Sequence, residues 1–212
     1  MGRVVQHLSV SLSLRERVGV RGSQISYLPR MAAKDERYVA LLRGINVGGN
    51  NIIKMTALKA NFEALGFGNV VTYIASGNVL FDSPKIDPKE IATKLEKALS
   101  AEFSYQSTVV VRAHSQLKTV VEKAPKGFGT KPKEFRCDVM FLKEPLTPAQ
   151  ALKDLPMAEG VDQAWAGPGV IYFSRLDKLA SRSRLSKVVA MPMYKLMTIR
   201  NWNTTTKLYA LT

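Results

Sequence analysis

The stretch from Arg37 to Asn51, RYVALLRGINVGGNN, limits the fold more than any other part of the chain. Tyr38 to Leu42 is a short apolar run that suits a strand. Gly44, Gly48 and Gly49 then remove the Cβ atoms that disfavour left-handed backbone angles or the close approach of a ligand. A strand that ends in a basic residue and breaks at once into glycines and asparagines must leave its sheet through a tight loop. Downstream, Met55, Leu58, Phe62 and Leu65 recur at helical spacing, and Gly66 stands where a left-handed residue closes a helix. The loop therefore delivers the chain to a helix N-terminus, where free N–H groups and the dipole attract anions, and Arg43 adds a full charge. The spacing is not GxGxxG. Gly44 and Gly49 match the start of a P-loop, but Asn50 and Asn51 occupy the places of its Lys and Ser/Thr, so nucleoside triphosphate hydrolysis is not expected. The plainer alternative is a tight turn whose asparagines satisfy backbone groups.

The rest of the chain places this loop in a pattern. Val70 to Ala75 reads as a strand, Ser76-Gly77-Asn78 as a turn and Val79 to Phe81 as the returning strand. Asp87-Pro88-Lys89-Glu90 supplies a cap, a proline at the first helical position and a reciprocal acid, ahead of a helix carried by Ile91, Leu95, Ala98 and Leu99. With a strand at Ser107 to Arg112 the order is β-α-β-β-α-β, the split pattern of ferredoxin-like domains. In that topology the first loop and the hairpin leave the sheet at one end, which would bring Arg43, Asn46, Asn50, Ser76 and Asn78 together. A helix from Ser115 and a Lys/Gly/Pro-rich loop from Pro125 to Glu134 lead to a second half. There Phe135 to Leu142 is a strand, Thr147-Pro148-Ala149-Gln150 opens a helix, Gly167-Pro168-Gly169 turns a hairpin, and Leu185, Val188 and Val189 suggest a helix that Pro192 ends. The expected class is thus α+β. A ferredoxin-like half over 31–124 is followed by a degenerate βαββαβ-like half over 125–212, packed against the first.

Residues 1–30 differ from the rest. They hold five arginines, one acid and many serines without a sustained period, and SLSLRERVGVRG looks like a translated intergenic repeat, which would make Met31 the initiator and the extension disordered. Setting them aside leaves 26 basic and 16 acidic residues, a net charge of +10 against +14 for the whole chain. Basic clusters run from Lys123 to Arg136 and from Arg175 to Lys187, and would attract phosphates by a salt-dependent force. A solvated basic face is the bland alternative. Cys137 is the single cysteine and His7 and His114 the only histidines, which fits a reducing, cytoplasmic setting and leaves no metal site to expect. No run is apolar enough for a membrane span, and a monomer is the default expectation.

Three segments, ALLRGINVGGNNIIKM, LGFGNVVTYIASGNVLF and TIRNWNTTTKL, resemble in order and spacing the bacterial domain-of-unknown-function family 1697, over Met31 to Thr212. The resemblance implies an α+β fold with ferredoxin-like parts and implies no activity. Within the third segment Asn203 is a good N-cap for the last helix, whereas Arg200 and Asn201 have no evident structural task. They could join Arg43 at a cleft between the halves; the competing reading puts Arg200 in a structural ion pair. The candidate ligand set is therefore Arg43, Gly44, Asn46, Gly48, Gly49, Asn50, Ser76, Asn78, Arg200 and Asn201. Three functions remain open: a binder of an anionic small molecule or nucleic-acid backbone, an enzyme on a small anion with arginine clamps and Ser76 as nucleophile, and a protein-interaction module. Val79, Leu80 and Phe81 offer one ring, too few for the stacking platform of an RNA-recognition sheet.

Overall fold

A computed structural model describes residues 35–212 apart from 48 and 50, and these described residues belong to one unit. The expected disorder and start-site artefact over residues 1–30 lie outside the described residues, as do Gly48 and Asn50. Among the described residues eight strands form two antiparallel four-stranded sheets. The first contains β1 (Glu36–Leu42), β2 (Gly68–Tyr73), β3 (Asn78–Ser83) and β4 (Val109–Ala113) in the order β2-β3-β1-β4. The second contains β5 (Phe135–Leu142), β6 (Asp162–Gly167), β7 (Val170–Leu176) and β8 (Met197–Asn201) in the order β6-β7-β5-β8, the same arrangement one repeat later.

The alternation of side chains along each central strand explains how the sheets stack. On β1, Tyr38, Ala40 and Leu42 face α1 (Met55–Ala64) and α2 (Pro88–Phe103), while Val39 and Leu41 face the other sheet. On β5, Val139 and Phe141 meet them in a shared core, and Met140 and Leu142 turn away toward α4 (Pro148–Asp154). Tyr38–Leu42 and Val139–Leu142 are covered on both faces, which is why these stretches read as unbroken apolar runs rather than alternating ones. Helices α3 (His114–Glu122) and α5 (Trp202–Leu211) follow the last strand of each sheet and contribute Leu117, Val120 and Leu208 to the shared core. Phe128, from the connector between the halves, closes that core edge-on against Tyr172, Trp165 and Trp202. Its neighbour Gly129 must lack a side chain, since a Cβ there would fall 2.0 Å from Trp202.

Local signals placed most ends correctly. Asp87 accepts from the Lys89 amide at 2.9 Å to cap α2, and Thr147 and Gln150 close a reciprocal box on α4. Two expectations fail. The helix predicted around Leu185 to Val189 is instead three short 3-10 turns over Asp177–Arg182, Leu185–Ala190 and Pro192–Leu196, because Val188 alone of that set is buried while Val189 stays exposed. The cap of α5 is Asn201, whose Oδ1 accepts from the Thr204 amide at 2.7 Å, and Asn203 lies inside the helix. Strand pairing carries β8 as far as Asn201 opposite Asp138, so the helix starts two residues earlier than the local pattern suggests.

Phe81 is fully buried and touches Phe67, Phe62 and Tyr38 at ring distances of 4.6, 5.4 and 5.7 Å. Phe81→Ala is expected to cost about 3–5 kcal/mol, read as a lower denaturant midpoint at unchanged slope.

Candidate functional site

The β1–α1 loop and the β2–β3 hairpin meet at one end of the first sheet. Asn46, in a left-handed conformation at φ 53°, ties them together. Its Nδ2 donates to Ile53 O at 3.0 Å and to Ala75 O at 2.9 Å, and its Oδ1 accepts from the Ile53 amide at 2.8 Å. Asn51 donates to Gly44 O at 2.9 Å. The loop asparagines that the structure describes are therefore occupied in holding the loop. Gly44 and Gly49 have positive φ and open space around them: a Cβ at either would meet nothing within 4 Å. Gly77 is different: its φ is +79° and a Cβ would come within 2.9 Å of Leu42 and Ile45, so the hairpin is pressed directly against the end of β1.

Arg200 reaches this junction from the second sheet. It is buried on β8, and its guanidinium uses every donor it has. Nε donates to Asn78 Oδ1 at 2.6 Å, one terminal nitrogen to Thr198 Oγ1 and Ile199 O at 2.8 Å each, and the other to Leu42, Ser76 and Gly77 carbonyls at 2.7, 3.0 and 3.2 Å. No carboxylate pairs with it among the described residues, so the expected structural ion pair is replaced by a cation solvated by carbonyl dipoles. Burial lowers its pKa to about 10, which leaves it charged at neutral pH. Asn78 is fully buried and completes the web, donating to Tyr73 O at 3.0 Å and Ser76 Oγ at 3.1 Å. Ser76 is thus engaged by an amide. His114 is held by Thr212 at 2.9 Å and stacks on Tyr209, and no hydrogen bond joins it to Ser76.

Arg43 is the exception in this group. Its amide donates to Thr108 O at 2.9 Å, but its side chain has no hydrogen bond or carboxylate among the described residues, and its Nε is buried without a partner. The guanidinium lies over the Tyr194 ring at 5.3 Å, and it opposes the rise that burial causes in the Tyr105 pKa. Helix α1, which the loop enters, has no side-chain cap and no acid in its first turn. Of the expected set, Arg43, Asn46, Ser76, Asn78 and Arg200 converge; Asn201 is an exposed helix cap on the opposite register of β8. In the basic clusters, Lys131 pairs with Glu134 at 3.2 Å, Arg175 with Asp138 at 3.1 Å, and Arg136 with Asp177.

Two residues that sequence reasoning passed over complete the geometry, Tyr194 and Arg112. Arg112 on β4 repeats what Arg200 does on β8: it donates to Val111 O at 2.9 Å, Leu142 O at 2.7 Å and Gly169 O at 3.1 Å. Leu142 and Gly169 stand in the second sheet where Leu42 and Gly77 stand in the first, as the amide bonds from Leu42 to Gly77 O and from Leu142 to Gly169 O show at 2.8 and 3.0 Å. The signal was present in the sequence as an Arg one residue before the end of each last strand, in VVRA and TIRN.

This arrangement of two sheets can be set beside known proteins. The profile described as "Protein of unknown function (DUF1697)" matches residues 36–172, and the chain belongs to that family. A search of curated proteins finds no match. Among solved structures, the conserved bacterial protein SP0830 from Streptococcus pneumoniae is similar, at 26% identity and a TM-score of 0.72, over 84% of this chain and 98% of that one.

Arg200→Ala should leave Asn78 Oδ1 and the carbonyls of Leu42, Ser76 and Gly77 short of donors in a buried space. A loss on the order of 3–5 kcal/mol is expected, with Asn201→Ala losing about 1 kcal/mol by comparison, both measured by urea unfolding.

Proposed function

We propose that this protein binds a phosphorylated or otherwise anionic ligand at the Gly/Asn-rich loop, with Arg43 as the charged contact. The observation that carries this reading is the lone state of Arg43 beside its counterpart. Lys143 follows the end of β5 as Arg43 follows the end of β1, and its amide bonds to Leu196 O at 2.8 Å as that of Arg43 does to Thr108 O. Lys143 finds a carboxylate, Glu96 on α2. Arg43 finds the Tyr194 ring, because the 3-10 turn at its side carries no acid at that place. A half-buried cation with an aromatic wall and open glycine backbone nearby is a site whose charge is completed by something outside the chain.

The ligand class is a small phosphate-bearing molecule or a nucleic-acid backbone in a cytoplasmic setting. Among the described residues no helix is long and apolar enough to cross a membrane. Asn46, Asn78 and Arg200 hold the frame around Arg43, and Gly44 and Gly49 leave room for backbone approach. Catalysis has less support, since Ser76 is bound to Asn78 and faces no base. A protein partner is favoured by one observation: Val47, Ile52 and Ile74 at the same end of the sheet are 62%, 77% and 50% exposed.

Arg43→Ala removes no hydrogen bond among the described residues and should cost only about 0.5–1 kcal/mol, the contact with the Tyr194 ring, so a binding defect in this variant is readable. Pyrophosphate and short single- and double-stranded oligonucleotides are the probes for thermal shift. A probe at a hundredfold excess over its Kd should stabilise the wild type by about 2.7 kcal/mol, a gain lost in Arg43→Ala and weakened steeply by salt for the oligonucleotides. No shift with any anion, together with a mass that rises with concentration in light scattering, would place the function with a protein partner instead.

A further inference from the structure

The reciprocal pair Arg112 and Arg200 is unequal, and the inequality lies against a cleft. Arg200 has two side-chain acceptors besides its carbonyls, Asn78 on its Nε and Thr198 on a terminal nitrogen. The matching positions around Arg112 are Val170, which pairs with Phe141 as Asn78 pairs with Leu41, and Val110, two residues before Arg112 as Thr198 is before Arg200. Neither valine can accept a hydrogen bond. Arg112 therefore keeps its Nε–H and one terminal N–H without a partner among the described residues, while its other donors are committed to Val111, Leu142 and Gly169. It is partly buried, and burial lowers its pKa to about 10 against the opposing charge of Glu144, so it is cationic at neutral pH.

Arg112 lines a cleft of about 880 Å³ between α2 and β4 on one side and the β5–α4 loop on the other. That volume is in the range of small-molecule sites. The walls are largely apolar, among them Ala92, Val109, Leu146, Pro148 and Pro168. The other charges there are accounted for: Lys89 pairs with Glu144 at 2.7 Å, Lys143 with Glu96, and Asp87 caps α2. Arg112 is the one lining cation that meets no carboxylate among the described residues.

We propose that this cleft binds a small monoanion with an apolar body, a carboxylate in the simplest case, which accepts from an Arg112 N–H that lacks the acceptor that Asn78 or Thr198 supplies at Arg200. The site is independent of the Arg43 loop, and Arg43→Ala leaves it intact.

The test is an amide-resolved NMR titration of the full-length protein with benzoate and octanoate, following Val110, Leu142 and Gly169, with benzyl alcohol as the neutral analogue. Saturable shifts are expected for the carboxylates, with benzyl alcohol at least tenfold weaker. Because Arg112 itself pins the two sheets together, two milder variants locate the site. Thr93→Trp, at an exposed helical position on the cleft wall, should fill the space and abolish the shifts; Val110→Thr restores an acceptor beside Arg112 and should weaken benzoate severalfold. No saturable shift with either carboxylate, equal binding of benzyl alcohol, or wild-type affinity in either variant overturns the proposal.

Discussion

Two arginines, Arg200 buried and Arg112 partly buried, that meet carbonyl oxygens and no carboxylate among the described residues hold the two sheets of this protein in register. A guanidinium taken out of water is costly, and the cost is met here by dipoles converging from chain ends that would otherwise be frayed: the last residue of a central strand and the turn of the neighbouring hairpin. Each arginine sits on the final strand of its own sheet and completes the other sheet. Arg200 closes the corner made by Leu42 and Gly77, and Arg112 closes the corner made by Leu142 and Gly169. The apolar core between the sheets is non-directional and would tolerate sliding; the fork of N–H groups is directional and does not.

This constraint explains why the neighbouring groups differ in availability. Donors near Arg200 are consumed by the frame, which takes Asn78, Ser76 and Asn46 out of consideration as free ligand contacts even though they gather at one place. What the frame does not consume stands at its margins. Arg43 lies beside the loop that Asn46 secures, and Arg112 retains donors where valines replace the polar neighbours of its counterpart. A near repeat with unequal substitutions thus separates structural cations from unspent ones.

Much of the fold was legible because it is local. Asp87-Pro88 and Thr147-Pro148 carry their helix starts in four residues, and Ser76-Gly77 announces its turn by the need for a positive φ. The element order of the first half followed from such signals. The turns between Asp177 and Leu196 did not, since Leu185, Val188 and Val189 keep helical spacing while burial selects only Val188. The choice between Asn201 and Asn203 as a cap also exceeded local rules, because either suits the position and the extent of β8 pairing decides it. For the site, convergence of the loop and hairpin could be argued from topology. The role of Arg200 could not: its partners in the first sheet lie more than 120 residues away in sequence, and no spacing rule reaches that far.

That separation has a consequence for the order in which the protein can be made. During synthesis the first sheet emerges with its central strand end and hairpin complete in sequence, yet the cation that neutralises their inward-facing carbonyls is Arg200, 158 residues after Leu42. Until β8 leaves the ribosome that corner stays hydrated, although Val139, Phe141 and Tyr172 can already cover the inner face of the first sheet. The step that dries the corner is the arrival of β8, which makes this strand the latch between the sheets.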